Sequence, residues 1–384
     1  MSEREKKDKR IVKMELMYTS TRNANEKVTA SQAVLKGLAE DGGLFVPEQL
    51  PTLDKTVDEL AGMTYQETAY EVMKKFLTDF TEEELKNCIN AAYDSKFDTE
   101  EIAPLVQADG AYYLELFHGS TIAFKDMALQ LLPQFISTSL KKLGDKDELV
   151  ILVATSGDTG KAALDGFKNV DQTKILVFYP QEGVSKIQRL QMLTQQGDNV
   201  SVFAVKGNFD DAQSGVKQIF SDSKYNEYLN EKGFKLSSAN SINWGRLLPQ
   251  IVYYFSAYAD LVNDKKITMG NKVNFTVPTG NFGDILAGFY AKCMGLPVNR
   301  LICASNSNNV LTDFLKTGTY DRNREFFKTI SPSMDILISS NLERLLYHIT
   351  NDATKVKSYM EKLQSTGCYQ VDEATLKAIQ ETFS

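Results

Sequence analysis

From about residue 100 the sequence changes to a regular alternation that few folds can satisfy. Short runs rich in β-branched and aromatic residues, at 112–117, 148–155, 174–180, 200–207, 235–238, 272–278 and 300–305, predict strands. Between them, amphipathic stretches at 124–143, 160–169, 184–196, 210–221, 244–261 and 281–294 predict helices. Strands that are apolar on both faces and are joined by helices cannot form hairpins facing water. They specify parallel sheets covered by helices on both sides, an α/β architecture in three αβα layers.

The region before residue 100 has a different rhythm. The opening MSEREKKDKR is a solvated charge run expected to lack order, 11–19 reads as a strand, and 30–40 reads as a helix stopped by Gly42-Gly43. The pattern over 57–95 is helical, with Thr81 and Glu84 spaced as a capping box. After Asn341 the chain is again mostly helical. A length of 384 residues suits two or three domains of roughly 100–200 residues. The division expected is a mainly helical N-terminal segment at 1–99, an α/β domain at 100–240 and a second at 241–384.

Composition removes several function classes. The net charge of −7 provides no basic field for nucleic acid, so any anion must be held by a local set of donors. Cys88, Cys293, Cys303 and Cys368 are widely spaced and include no C-x-x-C pair, which points to a reducing compartment. No apolar run reaches the ~18 residues of a membrane span. A cytoplasmic chain without membrane or nucleic-acid partners is expected. His118 and His348 are the only histidines, too few for a histidine-based metal centre or a Ser-His-Asp triad, so no metal is expected.

In open α/β sheets ligands bind where strands hand over to helices, and four such junctions stand out. The first is His118-Gly119-Ser120-Thr121-Ile122-Ala123-Phe124-Lys125-Asp126. Lys125 sits among apolar neighbours, which weakens its hold on a proton and makes it a usable amine nucleophile; the alternative is a lysine whose head reaches water. The second, Thr155-Ser156-Gly157-Asp158-Thr159-Gly160-Lys161, follows an apolar strand and opens a helix whose free amides suit an anion. It is not a nucleotide P-loop, because the first glycine would fall at Thr155 and the last hydroxyl at Ala162. The third, Pro278-Thr279-Gly280-Asn281-Phe282-Gly283-Asp284, has glycines that let the backbone close on a phosphate. The fourth is Ser185-Lys186-Ile187-Gln188-Arg189, where Lys186 and Arg189 share a helical face and either grip a second phosphate or form a solvated surface.

With these junctions, Tyr18-Thr19-Ser20-Thr21-Arg22, Gly42-Gly43-Leu44-Phe45-Val46-Pro47 and Ser241-Ile242-Asn243-Trp244-Gly245-Arg246 make a set of motifs in order over most of the chain. The set resembles the threonine synthases, within the tryptophan-synthase-β-like group of pyridoxal-phosphate enzymes. The resemblance implies that fold, with pyridoxal 5'-phosphate carried by Lys125 as a Schiff base and Gly280, Asn281, Phe282, Gly283 and Asp284 at the cofactor. It implies that Ser156, Asp158 and Thr159 receive the α-carboxylate of the substrate. Ser185, Lys186, Arg189 and Asn243 are then candidates for its phosphate.

The activity implied is conversion of O-phospho-L-homoserine and water to L-threonine and phosphate, a carbon-oxygen lyase reaction of threonine biosynthesis, by a monomer or homodimer. Lys125 would serve as general base, in a site closed against stray protonation. Two other readings remain: a related lyase releasing a 2-keto acid and ammonia, and a non-catalytic homologue. The family's late hydroxyl residue, in an Ala-His-Pro-Ala-like segment that bonds the pyridine nitrogen, has no counterpart before Ser384. A truncated or diverged end is expected.

Overall fold

A computed structural model describes residues 15–384 apart from Gly183 and Asn208. The charge run at 1–10 and the first four residues of the strand expected at 11–19 lie outside the described residues; within them the strand is β1, Tyr18–Ser20. It pairs antiparallel with β2 (Asn23–Val28) and with β3 (Phe45–Pro47). Between β2 and β3 lies α1, Ala30–Lys36, which stops earlier than Gly42-Gly43 because Gly37 takes a φ of 67° and returns its N–H to Ala33. The helical stretch at 57–95 is three helices, α2 (Val57–Leu60), α3 (Tyr65–Met73) and α4 (Glu82–Ala92). Each begins with a full capping box, on Thr56, Thr64 and Thr81.

The strand expected at 112–117 does not join a parallel sheet. It is β5 (Ala111–Leu114), half of an antiparallel hairpin with β4 (Leu105–Ala108), and an irregular stretch leads from it to Lys125. The long helix expected at 124–143 is broken into α5 (Asp126–Leu129) and α6 (Leu132–Leu143), with Pro133 starting the second piece.

The larger parallel sheet has the order β8-β7-β6-β9, from β6 (Glu148–Ala154), β7 (Thr173–Pro180), β8 (Val200–Val205) and β9 (Phe234–Ser238). In register, Ile151 faces Ile175 and Val153 faces Val177. These four belong to the main core with Ala162, Ala163, Leu164 and Phe167 of α7 (Asp158–Phe167). Leu152, Ala154, Leu176 and Phe178 turn the other way, against Ala212 and Val216 of α9 (Phe209–Ser221). Period-two alternation therefore buries both faces. The helix α8 (Lys186–Leu193) connects β7 to β8, and α10 (Ser223–Glu231), absent from the sequence expectation, precedes β9 with Asp222 as its cap.

The long α11 (Trp244–Asn263) leads to a second parallel pair, β10 (Val273–Pro278) and β11 (Val298–Ala304), joined by α12 (Gly283–Cys293). The chain continues through α13 (Val310–Thr317), β12 (Thr319–Asp321), α14 (Leu342–Thr350), α15 (Ala353–Thr366), β13 (Cys368–Gln370) and α16 (Glu373–Gln380). Thr382 to Ser384 lie beside β11, with Leu301 and Cys303 donating to the Thr382 and Ser384 carbonyls.

The N-terminal segment shares the main core. Trp244 packs on Tyr18, Phe76 and Tyr290, with ring centroids 5.3, 5.5 and 5.4 Å away. At the start of α14, Glu343 accepts from Arg22 Nε at 2.7 Å, Arg22 Nη2 at 2.8 Å and Thr21 Oγ1 at 2.6 Å, with its side chain only 5% exposed. Removing one partner of such a pair strands the other charge. Glu343→Ala is expected to lower the unfolding free energy by about 3 kcal/mol or more, read from urea denaturation.

Candidate functional site

The loop before α5 is shaped by its own aspartate. Asp126, fully buried, accepts from Thr121 N at 2.8 Å and Thr121 Oγ1 at 2.6 Å. Gly119 is required there, since a Cβ would lie 2.5 Å from Asp126 Cβ. Ile122 is held at a φ of 57° and is 71% exposed, a backbone conformation that costs a β-branched residue about 1–3 kcal/mol. The loop delivers Lys125 to a dry position, 8% exposed, with Nζ 4.3 Å from the centre of the Phe124 ring. Lys161 is tied beneath the same loop by a hydrogen bond from Nζ to the Thr121 carbonyl, which also rules out a phosphate role of P-loop type.

The loop from β6 into α7 brings Asp158 Oδ2 to 3.8 Å from Lys125 Nζ, with both side chains 9% exposed. Burial is the main reason the Lys125 amine holds its proton less tightly than usual; Asp158 pulls the other way, Arg246 adds to the loss and Asp284 opposes it. Burial likewise works against the Asp158 charge. The Lys125 ammonium, the Ser333 hydroxyl and the Thr159 amide together outweigh it and hold the carboxyl below its ordinary range.

Two roles expected of this loop must be corrected. The Asp158 side chain cannot receive a carboxylate, because it is an anion; it faces Lys125 and binds the Thr159 N–H at 2.8 Å. The loop is shaped by Thr155, buried, whose Oγ1 accepts from Gly157 N at 2.9 Å and Gly160 N at 2.8 Å. Ser156 and Thr159 are half-buried. Asn243 is no phosphate ligand either. It is fully buried, caps α11 by accepting from Gly245 N at 2.9 Å, and donates to the Val34 and Ser238 carbonyls at 3.0 and 2.9 Å.

Ser185 caps α8 by accepting from Gln188 N at 3.2 Å, and Lys186 and Arg189 are exposed on that helix. A Cβ at Gly157 would fall 2.3 Å from Gln188 Oε1, so the start of α8 lies against the loop from β6 to α7.

On the opposite side, the turn from β10 into α12 contains Gly280, Asn281, Phe282, Gly283 and Asp284. Phe282 is buried at a φ of 64° and packs on Phe383, centroids 5.4 Å apart. Both loops thus hold a bulky residue in left-handed backbone, a strain characteristic of functional sites. The first amides of α12 have no intrahelical acceptor and are suited to an anion. The Asp284 carboxylate turns toward α11, where its Oδ1 accepts from Tyr253 and Tyr254 at 2.7 and 2.9 Å; burial pushes its affinity for a proton up, while the two hydroxyls and Lys125 oppose this.

A strap between β12 and α14, at 322–340, covers this turn. Ile336 Cδ1 and Met334 Cα would lie 3.1 and 3.3 Å from a Cβ on Gly280, and Ser339 donates to the Gly280 carbonyl. The strap is knotted by Asp335, which accepts from Asn306, Asn308 and the Thr329 hydroxyl at 2.7, 3.1 and 2.7 Å. Sequence reasoning missed Arg246, Thr155, Tyr253, Tyr254 and the strap. Arg246 was visible only as part of a motif, and nothing in the spacing of Ser333, Asp335 or Ser339 marks them.

A dry amine facing two helix N-termini at the carboxyl ends of parallel strands suits a small anion that reacts with amines, and this defines the class: an α/β protein with a lysine-centred ligand site. Residues 17–93 match the family described as threonine synthase N terminus. The chain is 43% identical to human threonine synthase-like 1, over 95% of this chain and 52% of that one, and 37% identical to threonine synthase of Saccharomyces cerevisiae, over 96% and 75%. It superposes with a TM-score of 0.87 on the crystal structure of PLP-bound threonine synthase from Brucella melitensis, 41% identical, covering 96% of this chain and 77% of that one. This chain therefore belongs to the threonine synthase family. It spans about half the length of the threonine synthase-like relatives it matches.

Thr155→Val leaves two buried amides without an acceptor. A loss of about 2–4 kcal/mol in thermal or urea unfolding is expected, with Thr155→Ser recovering most of it.

Proposed function

We propose that this chain converts O-phospho-L-homoserine and water to L-threonine and phosphate, using pyridoxal 5'-phosphate carried by Lys125. The observation that carries the reading is the position of Lys125 Nζ: nine-tenths buried, reduced in proton affinity and beside Asp158. The residues fit the cofactor chemically, since a neutral amine condenses with an aldehyde and the first turn of α12 behind Gly280 and Gly283 suits a phosphate. When bound, the cofactor supplies an electron sink for negative charge at the substrate's Cα and neighbouring carbons.

The residues of the chain do the rest. Lys125 Nζ, kept dry, accepts the protons from Cα and then Cβ and returns one at Cγ as phosphate leaves. Asp158 holds that amine in place while it carries a proton. The Ser156 and Thr159 hydroxyls take the α-carboxylate, and Ser185, Lys186 and Arg189 on α8 take the phosphate. Gly280, Asn281, Phe282 and Gly283 line the cofactor, with Asp284 fixing the turn through Tyr253 and Tyr254. Water then adds at Cβ to complete threonine.

The division at 1–99, 100–240 and 241–384 is part of this proposal, with the site where the two α/β units meet. So is a monomer or homodimer in the cytoplasm without nucleic-acid partners, in keeping with four unpaired cysteines. No helix among the described residues is long and apolar enough to cross a membrane.

Incubation with O-phospho-L-homoserine should release threonine and phosphate in equal amounts; 2-ketobutyrate with ammonia would replace this reading with a lyase. Borohydride reduction of cofactor-loaded protein should add the pyridoxyl mass to the peptide containing Lys125, and an unmodified peptide would end the proposal. Lys125→Ala should lower turnover by about a thousandfold or more.

A further inference from the structure

Arg246 stands in the first turn of α11, which packs on α5 immediately after Lys125. Its side chain is buried, with the residue 2% exposed. Nη1 donates to the Ala239 carbonyl at 2.5 Å, whereas Nε has no partner among the described residues. A guanidinium in such a place is expensive unless an anion answers it. Burial brings its proton affinity down to about 10, opposed mainly by Asp158 and then by Asp126 and Tyr253, so it stays charged at neutral pH.

The groups facing Lys125 are Asp158 of α7, Arg246 of α11 and Asp284 of α12, beside the Phe124 ring. Two buried cations therefore draw on Asp158. The guanidinium is intrinsically much the stronger base, so the amine is the group that gives up its proton. A lysine beside a second fixed cation is a recognised way to obtain a nucleophilic amine at neutral pH.

We propose that Arg246 is a positioning residue, the fixed buried cation that competes with Lys125 for Asp158 and thereby leaves Lys125 as a neutral amine. The inference rests on Lys125 being the reacting group, but its test needs neither turnover nor bound cofactor. The full chain, stripped of cofactor, is labelled with trace acetic anhydride across pH 6 to 11 (about this range spans lysine titration). Acetylation of Lys125 is read by mass spectrometry against the exposed Lys357.

Lys125 should titrate below Lys357. Arg246→Met should raise the Lys125 midpoint by about one pH unit, a tenfold loss of labelling below both midpoints, and Arg246→Lys should recover at least half of that shift. Asp158→Asn, which removes the shared carboxylate, should move the midpoint down. If Arg246→Met melts like the parent and leaves the midpoint unmoved, the proposal fails. Should Arg246→Met not fold, an unmoved midpoint in Asp158→Asn overturns it equally. A Lys125 that titrates as expected yet never takes up pyridoxal phosphate would defeat the function proposed above and leave this inference standing.

Discussion

The fold is tied together at the start of α14 by Arg344. Its side chain is fully buried and gives its Nε to the Phe45 carbonyl at 2.9 Å, Nη2 to the Ile242 carbonyl at 2.6 Å and Nη1 to Asn341 Oδ1 at 2.5 Å. One guanidinium thus joins β3 of the N-terminal sheet, the approach to α11 and the C-terminal helices. Asn341 passes the constraint on, because its backbone N–H and Nδ2 both donate to the Asn281 carbonyl, at 3.0 and 3.1 Å. The turn beside the site is therefore positioned by a residue sixty positions downstream. A buried cation pays a desolvation penalty, and it is tolerable here because its hydrogen bonds have defined acceptors that a slipped packing would lose.

That scaffold lets the site hold unfavourable arrangements. Ile122 and Phe282 both sit in left-handed backbone, and Lys125 and Arg246 both lie out of water with few anions. Each would relax if its surroundings could move. Neighbouring contacts prevent it: Asp126 closes the Lys125 loop, Thr155 closes the loop beside it, and the Asp335 knot fixes the strap over Gly280. The amine at the centre is kept reactive by elements whose own bonds are conventional.

Local chemistry made much of this legible in advance. The apolar runs at 148–155 and 174–180 became adjacent parallel strands because their period-two faces each found a helix. The capping box at Thr81 formed as its spacing requires. Where the expectation failed, a tertiary contact intervened. Gly37 ended α1 early, in a place where a Cβ would meet Asn243 Nδ2 at 3.0 Å. The helix expected at 124–143 broke near Gln130, whose side chain donates to Asp165 at 2.8 Å and Ser120 at 3.1 Å. Asn243, marked by its motif, proved to be a cap, because its side-chain hydrogen bonds go to the backbone of three separate segments.

The amino-acid sequence alone determined that this chain would form parallel sheets between helices, and that Lys125 and the glycine-rich turn at 280–284 would lie at strand-to-helix junctions. Those properties follow from periodicity and backbone preference, which act over a few neighbouring residues. Only the tertiary structure decided that Asp158 faces the amine, that Arg246 is left with little to answer its charge, and that Ser333 and Ser339 come over the site from the far end of the chain. Burial and electrostatics belong to space rather than to spacing, since the low dielectric that alters a charge is made by side chains from every part of the chain.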